Sequence, residues 1–435
     1  MSQLYPFTDP VTAQSAPPLR IASGNGIRVT DTQGKCYIDA VSALWCSSLG
    51  FNHPRLAKAA SQQMEQLSYY HSFMGRTPDL TEALAARLAK KLPAPLAHLL
   101  FGTSGSEAVE TAVKLVRFYQ NARGKTSKMR LISRIGGYHG SGQMSAALTG
   151  MTYCHDGFGL PLHDVLRAGR PHYLRDADPG ETETAFSKRL GRELDTLITD
   201  AGPDTVGGFI GEPIMGSGGV ILPPEGYWDE VQNVLAKHGV LLIADEIITG
   251  FGRAGDWFAC ETYGIRPDLI TMAKQLTAST FPMSAVAISD DVHSVISQQA
   301  HVYGTFGHGV TYGGHPVGAA VAMECLDIYE EMDLPAHTAH LGGCIGDHLA
   351  RLAPLPCVAQ VRRQGMLAAV EFTDAAGLDF AEATADAARE AGVFFLTIGN
   401  VLAIAPPYIS TPQDIDTVMR TLAQSINAVL YHKAT

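Results

Sequence analysis

At 435 residues the chain exceeds one minimal domain and has room for two or three domain-sized units. Hydrophobic residues form 46% of it and charged residues 17%, which excludes a disordered chain. The net charge is −11 and no basic run offsets it locally, so neither a nucleic-acid partner nor an anionic membrane surface is expected.

Residues 1–20 are polar and proline-rich and read as an extended arm. GIRVTDTQGKCYIDA (26–40) alternates apolar and polar residues around Asp31 to Gly34, a hairpin signal. Residues 54–70 and 78–92 carry helical periodicity. From 96 to 290 short apolar runs alternate with helical segments, as in AHLLF (97–101), RLIS (130–133), VGGFIGE (206–212), VLLIADE (240–246) and DLITMAK (268–274). That alternation predicts an α/β fold, with a mostly parallel sheet covered by helices on both faces. A helix at 317–330 then leads to a second unit, with strands expected at 358–372, 392–396 and 401–407 and a helix at 379–391.

Within this order, FGTSGSEAVETAVKLVRFY (101–119) places a small polar turn, Thr103 to Ser106, between a strand and a helix. Backbone N–H groups at such a helix start can bind an anion, helped by the helix dipole and the hydroxyls of Ser104 and Ser106. An ordinary capped helix, with Glu107 favourable in its first turn, explains the same residues. Asp245 and Lys274 each close an apolar run, 29 residues apart. That spacing suits two neighbouring parallel strands ending at one sheet edge. A pyridoxal phosphate enzyme needs such a pair, a lysine to hold the cofactor as a Schiff base and an acid to keep its ring nitrogen protonated. Alone, the aspartate could cap a helix and the lysine could be solvated. Gly250, Gly252 and Gly255 spell GxGxxG, but three further residues separate them from the acidic pair Asp245 and Glu246. DWFACETYGIRPD, which follows, has room for two helical turns at most, so a structural loop is expected rather than a nucleotide site.

The seven cysteines lack metal-ligand spacing, which predicts reduced thiols, no metal site and a cytoplasmic location. The N-terminus lacks the apolar core of a signal peptide, and no apolar run reaches membrane-spanning length.

TSGSEAVE (103–110), GGYHGS (136–141), GEPIMGSGGV (211–220), ADEIITGFGRAG (244–255), MAKQL (272–276) and HGVTYGGHPVGAAVA (308–322) occur in this order. As an ordered set they resemble the class III aminotransferases of ω-transaminase (amine:pyruvate) type, from about residue 26 onward. The resemblance implies the type I fold of pyridoxal phosphate enzymes. A large cofactor domain would span 61–315, and a smaller one would combine 1–60 with 316–435. It implies that Lys274 binds the cofactor and carries the substrate proton, and that Asp245 pairs with the ring nitrogen. Tyr138 would stack on the ring and Ile247 cover its other face. Ser104, Gly105 and Ser106 would bind the phosphate, and Glu212 would lie near the ring. Thr311 would reach the phosphate of a partner subunit, making a homodimer with shared sites. Trp45 would line the substrate pocket. Tyr138, Trp45 and Ile247 could equally be core residues, and Glu212 a strand-end ion-pair partner. Thr311 and His315 could simply shape a loop. His139 and His308 receive no role.

Three positions depart from the family pattern. Leu396 stands where relatives carry an arginine that binds a substrate carboxylate, and Ala403, another place for one, is also apolar. Leucine cannot replace the bidentate guanidinium grip. QLTASTFPMSA (275–285) replaces a glycine-rich stretch, and Gly313 a common serine. An apolar pocket for an amine, amino alcohol or long aliphatic amine is therefore expected. The keto acid, pyruvate being the first candidate, would need another cation. Arg76 and Arg253 are available, although a surface role and a loop-stabilising role explain them better. The rival readings are an ω-amino acid:pyruvate transaminase, an amino-group mutase or decarboxylase, a nicotinamide oxidoreductase using the 250–255 glycines, and a binding protein without catalysis.

Overall fold

The computed structural model describes residues 3–377 and 379–434. Its centre is a seven-stranded sheet in the order Leu96–Gly102, Ser284–Ser289, Leu269–Met272, Leu241–Asp245, Val206–Gly211, Arg130–Arg134 and Val165–Ala168. Ser284–Ser289 runs antiparallel to both neighbours, and the remaining ladders are parallel. Every residue of Leu241–Asp245 and of Val206–Gly211 is buried, as a strand covered on both faces requires. Alternate residues serve alternate faces. Leu241 and Ile243 join Leu131 and Ile210 in one cluster with Ala108, Val109, Ala112 and Val116 of helix Gly105–Ala122. Leu242 and Ala244 join Ile132 and Phe209 in another, with helices Glu183–Ala201 and Tyr227–His238.

Two smaller sheets flank this layer. Ile21–Asn25, Arg28–Asp31 and Cys36–Asp39 form an antiparallel meander around the expected turn. Val393–Phe394 joins it in parallel, Val393 opposite Ile38, so the two ends of the chain share one sheet. The other sheet is antiparallel, in the order Val358–Gln364, Leu367–Phe372, Val401–Ile404 and Leu396–Ile398.

Several expectations need correction. The run 358–372 is a hairpin rather than one strand, because Gly365 turns the chain with φ +56° where a side chain would strike the Ala254 and Gly255 backbone. The run 392–396 divides between two sheets. The N-terminal arm contains a one-turn helix, Thr12–Ser15. Helices Leu334–Leu352 and Pro412–Ala434 were not individually expected. No helix opens on the glycines at 250, 252 and 255, and only the four-residue helix Ala259–Thr262 follows. Gly252 instead admits Leu334, whose Cγ would lie 2.5 Å from an added Cβ. Among the described residues no helix is long and apolar enough to cross a membrane.

Candidate active site

Asp245 pairs with Thr271 in the parallel ladder, so Asp245 and Lys274 leave the sheet at the same edge. There a cavity of about 400 Å³ opens. Ser104, Gly105, Ser106 and Tyr138 line it, together with Glu212, Asp245, Ile247 and Lys274. One fold feature thus gathers residues spread over 170 positions, from 104 to 274.

At one end, Ser104 caps helix Gly105–Ala122 by accepting a hydrogen bond from Glu107 N. Glu107 returns through Thr103, whose N and Oγ1 both donate to its Oε2 at 2.6 and 2.9 Å. The N–H groups of Gly105 and Ser106, first in the helix, have no intrahelical acceptor. Neighbouring groups crowd this turn closely. A Cβ on Gly105 would lie 2.9 Å from Ile247 Cδ1, and one on Gly140 would lie 2.5 Å from Ser106 Oγ. Ser106 Oγ also accepts from Ser141 N at 2.9 Å.

At the strand ends the chemistry changes. Asp245 accepts three hydrogen bonds, from His139 Nδ1 at 2.7 Å, Thr271 Oγ1 at 3.1 Å and Ile247 N at 3.2 Å. Three donors fix this carboxylate in place. Among the described residues His139 Nε2, which is buried, has no hydrogen-bond partner. Glu212 accepts from Tyr138 N and Gly216 N, and burial pushes its carboxyl above the usual range. The guanidinium of Arg134, buried over the Trp228 ring, donates to the Glu212 carbonyl.

Lys274 opens a short 3₁₀ turn, Lys274–Thr277, with φ +47°. A non-glycine residue pays strain there, and such strain collects at reactive groups. Burial holds its amine below the usual lysine pKa, against the pull of Cys46, Asp245 and Glu212. Among the described residues its side chain makes no hydrogen bond or ion pair, so the amine is free to react.

The residues expected at the substrate end sit differently. Trp45 does not line the cavity. Ser42, Ala43 and Trp45 all carry positive φ, and this backbone presents Leu44, 64% exposed, to the cavity and leaves Trp45 3% exposed. Trp45 packs instead in an apolar cluster with Ile248, Leu367 and Ala403, against which Leu396 also lies. Leu396 stands opposite Ala403 in the antiparallel ladder. This cluster meets the cavity through Ile248. Thr311 is exposed and outside the cavity, its carbonyl accepting from Tyr69 Oη at 2.7 Å. Arg76 is exposed. Arg253 is buried, donating to Pro406 O and Ser42 Oγ over the Tyr408 ring, a structural position.

Some lining residues escaped the sequence reading. Cys46 lies beside Lys274, and Phe281 and Met283 come from the segment that departs from the family pattern. In that segment Ala278 and Ser279 adopt φ +45° and +57°, conformations glycine takes without strain. His139 was legible only as the neighbour of Tyr138.

The donor set fits pyridoxal phosphate: a helix start for the phosphate, a fixed carboxylate for a ring nitrogen, an unpartnered amine and an aromatic wall. Comparison with known proteins agrees. Residues 11–426 match the family model described as Aminotransferase class-III. An uncharacterized aminotransferase of Sinorhizobium fredii is 42% identical over 98% of this chain and 94% of its own length. A mitochondrial gamma aminobutyrate transaminase of Solanum lycopersicum is 39% identical over 97% and 84%. The solved omega transaminase of Pseudomonas jessenii in complex with PMP superposes with a TM-score of 0.96 at 40% identity, covering 98% of this chain and 96% of that one.

Proposed function

The chain belongs to the class III aminotransferases, enzymes of type I fold that use pyridoxal phosphate, and from that premise we propose that it moves an amino group from an amine or amino alcohol, with no carboxylate near the amine, to pyruvate. The two half-reactions share one site in ping-pong order. The observation that carries the donor class is the pairing of Leu396 with Ala403, apolar on apolar where a carboxylate would need a guanidinium. The apolar cluster around Trp45 supports the same reading, as a wall behind the cavity.

The residues divide the work. When bound, the cofactor supplies a carbonyl that takes up the amine and a ring that withdraws electrons from the substrate carbon. Lys274, whose amine burial holds below the usual lysine pKa, would remove the proton from that carbon and return it one position away. Asp245, held by His139, Thr271 and Ile247 N, would pair with the ring nitrogen. Gly105, Ser106 and the Ser104 cap hold the phosphate at the helix start. Tyr138 and Ile247 confine the ring, and Glu212 fixes the Tyr138 backbone. Thr311 completes the phosphate site of a second subunit in a homodimer, which its exposure permits. The sheet shared by Ile38 and Val393 supports a small unit built from residues 1–60 and 316–435 around the large one at 61–315. Seven unpaired thiols support a cytoplasmic location.

An ω-amino acid donor is the second reading, favoured by the gamma aminobutyrate transaminase among the relatives. A donor panel separates the two. The purified enzyme is given pyruvate or 2-oxoglutarate with simple amines, amino alcohols, β-alanine and 4-aminobutyrate, and the amino acid formed is measured. Faster turnover with amines and pyruvate supports the first reading. A clear preference for ω-amino acids replaces it with the second.

A further inference from the structure

His308 lies outside the cavity, in the loop that leads to Thr311, yet both of its ring nitrogens are engaged. Lys114 Nζ lies 2.8 Å from His308 Nδ1, and Thr111 Oγ1 lies 3.0 Å from His308 Nε2. A protonated lysine only donates, so Nδ1 accepts and the ring proton sits on Nε2, which donates to the threonine oxygen. Both partners belong to helix Gly105–Ala122, whose first turn lies at the phosphate end of the cavity. The helix thus holds, two turns from its start, the segment that carries Thr311 three residues beyond His308.

We propose that His308 is a positioning residue: in its neutral form it clamps the Thr311 loop to the phosphate helix, so that each subunit's own cofactor helix sets the Thr311 offered to its partner. The role given to Thr311 rests on the proposed function above; the clamp itself rests only on the two contacts. Protonation ends it. The imidazolium would direct a second N–H at the Lys114 ammonium, replacing a hydrogen bond by a repulsion.

The surroundings fix the sign. Burial and then Lys114 hold the His308 pKa below the usual histidine value, and Glu107 opposes them. His98 and His293 line the same groove from the strand and helix across it, with Asp290 on His98, and Glu82 lines it from helix Asp79–Ala89. A base whose folded pKa is depressed contributes stability that is complete above its unfolded value of about 6.5 and is lost as pH falls through the folded one. The clamp therefore holds at neutral and alkaline pH and opens in acid.

Two readouts on the holoenzyme test this. Hydrogen exchange of the backbone amides at 305–311 reports the clamp, and the rate of cofactor loss on dilution reports its effect on the phosphate site. Both are taken between about pH 8 and about pH 5.5, on either side of the ordinary histidine pKa. Measured against the intrinsic exchange rate at each pH, protection of these amides in the wild type is expected to be about tenfold lower at the acid end, and cofactor loss about tenfold faster there, the size of one charged hydrogen bond. His308→Ala should be fast at both ends. His308→Gln should be slow at both, because its amide accepts from Lys114 and donates to Thr111 without titrating. Unchanged exchange in His308→Ala, or an acid response that persists in His308→Gln, overturns the clamp. If Thr311→Ala retains cofactor like the wild type while His308→Ala exchanges fast, the clamp stands and the role given to Thr311 falls.

Discussion

His139 Nδ1 donates to Asp245 Oδ2 across 2.7 Å, and both side chains are almost wholly shielded from solvent. One member of the pair follows strand Arg130–Arg134 and the other ends Leu241–Asp245, with Val206–Gly211 between them in the sheet. In so dry a site the hydrogen bond is strong and fixes the carboxylate's direction.

Removing that donor should therefore weaken catalysis without abolishing it. His139→Phe is expected to lower kcat by about 10- to 100-fold, the range for one hydrogen bond to a charged group. His139→Asn, which can still donate, should recover part of the loss. Steady-state kinetics, with the pH dependence of the cofactor absorbance, check this. Equal kinetics for all three proteins would mean that Asp245 does not need His139 to orient it, Thr271 and Ile247 N sufficing.

Lys274→Ala should abolish covalent attachment of the cofactor and slow amino transfer by at least about 100- to 10,000-fold, the contribution of a positioned proton carrier. Borohydride reduction followed by peptide mass mapping places the adduct. An adduct on another lysine of the wild type would remove Lys274 from its role.

The same amine destabilises the cofactor-free fold, because burial costs its charge more than the pull of Cys46, Asp245 and Glu212 returns. Lys274→Met is expected to raise the stability of the cofactor-free protein by about 1–3 kcal/mol near neutrality. The sign follows from the depressed pKa. The cost of the charge is present below the folded value and fades as pH rises toward the unfolded value of about 10.4. Thermal unfolding against pH measures it, and a Met variant less stable than wild type at neutral pH would refute the argument.

Leu396→Arg tests the substrate wall. A guanidinium opposite Ala403 should raise kcat/KM for ω-amino acids relative to simple amines by about tenfold or more. The donor panel above supplies the ratio. No change in it would place the carboxylate site elsewhere.

Glu371 tests the frame around the site. It accepts hydrogen bonds from His172, Arg362 and Arg175, and Arg362 also holds the Gly219 and Val220 carbonyls that follow Glu212. Burial alone would push its carboxyl up, but the hydrogen bonds from His172 and the two arginines outweigh it and hold the pKa far below the usual range. A depressed carboxylate contributes stability above its unfolded value of about 4.3 that is lost as pH falls through the folded one. Glu371→Gln should cost about 3–5 kcal/mol at neutral pH, the penalty for stranding buried arginine charge. The difference should shrink in acid, and denaturant unfolding at both pH values decides it.

Much of the site was legible because its signals are local. The cap at Ser104, the small turn after Phe101 and the apolar runs ending at Asp245 and Lys274 each follow from neighbours within a few residues. The parallel pairing of Asp245 with Thr271 then needed only the alternation of strand and helix. The hairpin at 358–372 was misread because Gly365 looks like any glycine within an apolar run until its left-handed turn is seen.

What the sequence determined alone is therefore the alternation of strands and helices and the residues at the strand ends, set by periodicity, together with the cofactor chemistry implied by the ordered motifs that resemble the class III aminotransferases. Tertiary structure decided the rest. It turned Trp45 into a buried cluster and put Leu44 on the cavity, because one side chain's direction depends on backbone angles that composition does not specify. It also supplied partners 106 and 194 positions away for His139 and His308. A histidine is a donor, an acceptor or a bystander only according to what the fold brings against its two nitrogens.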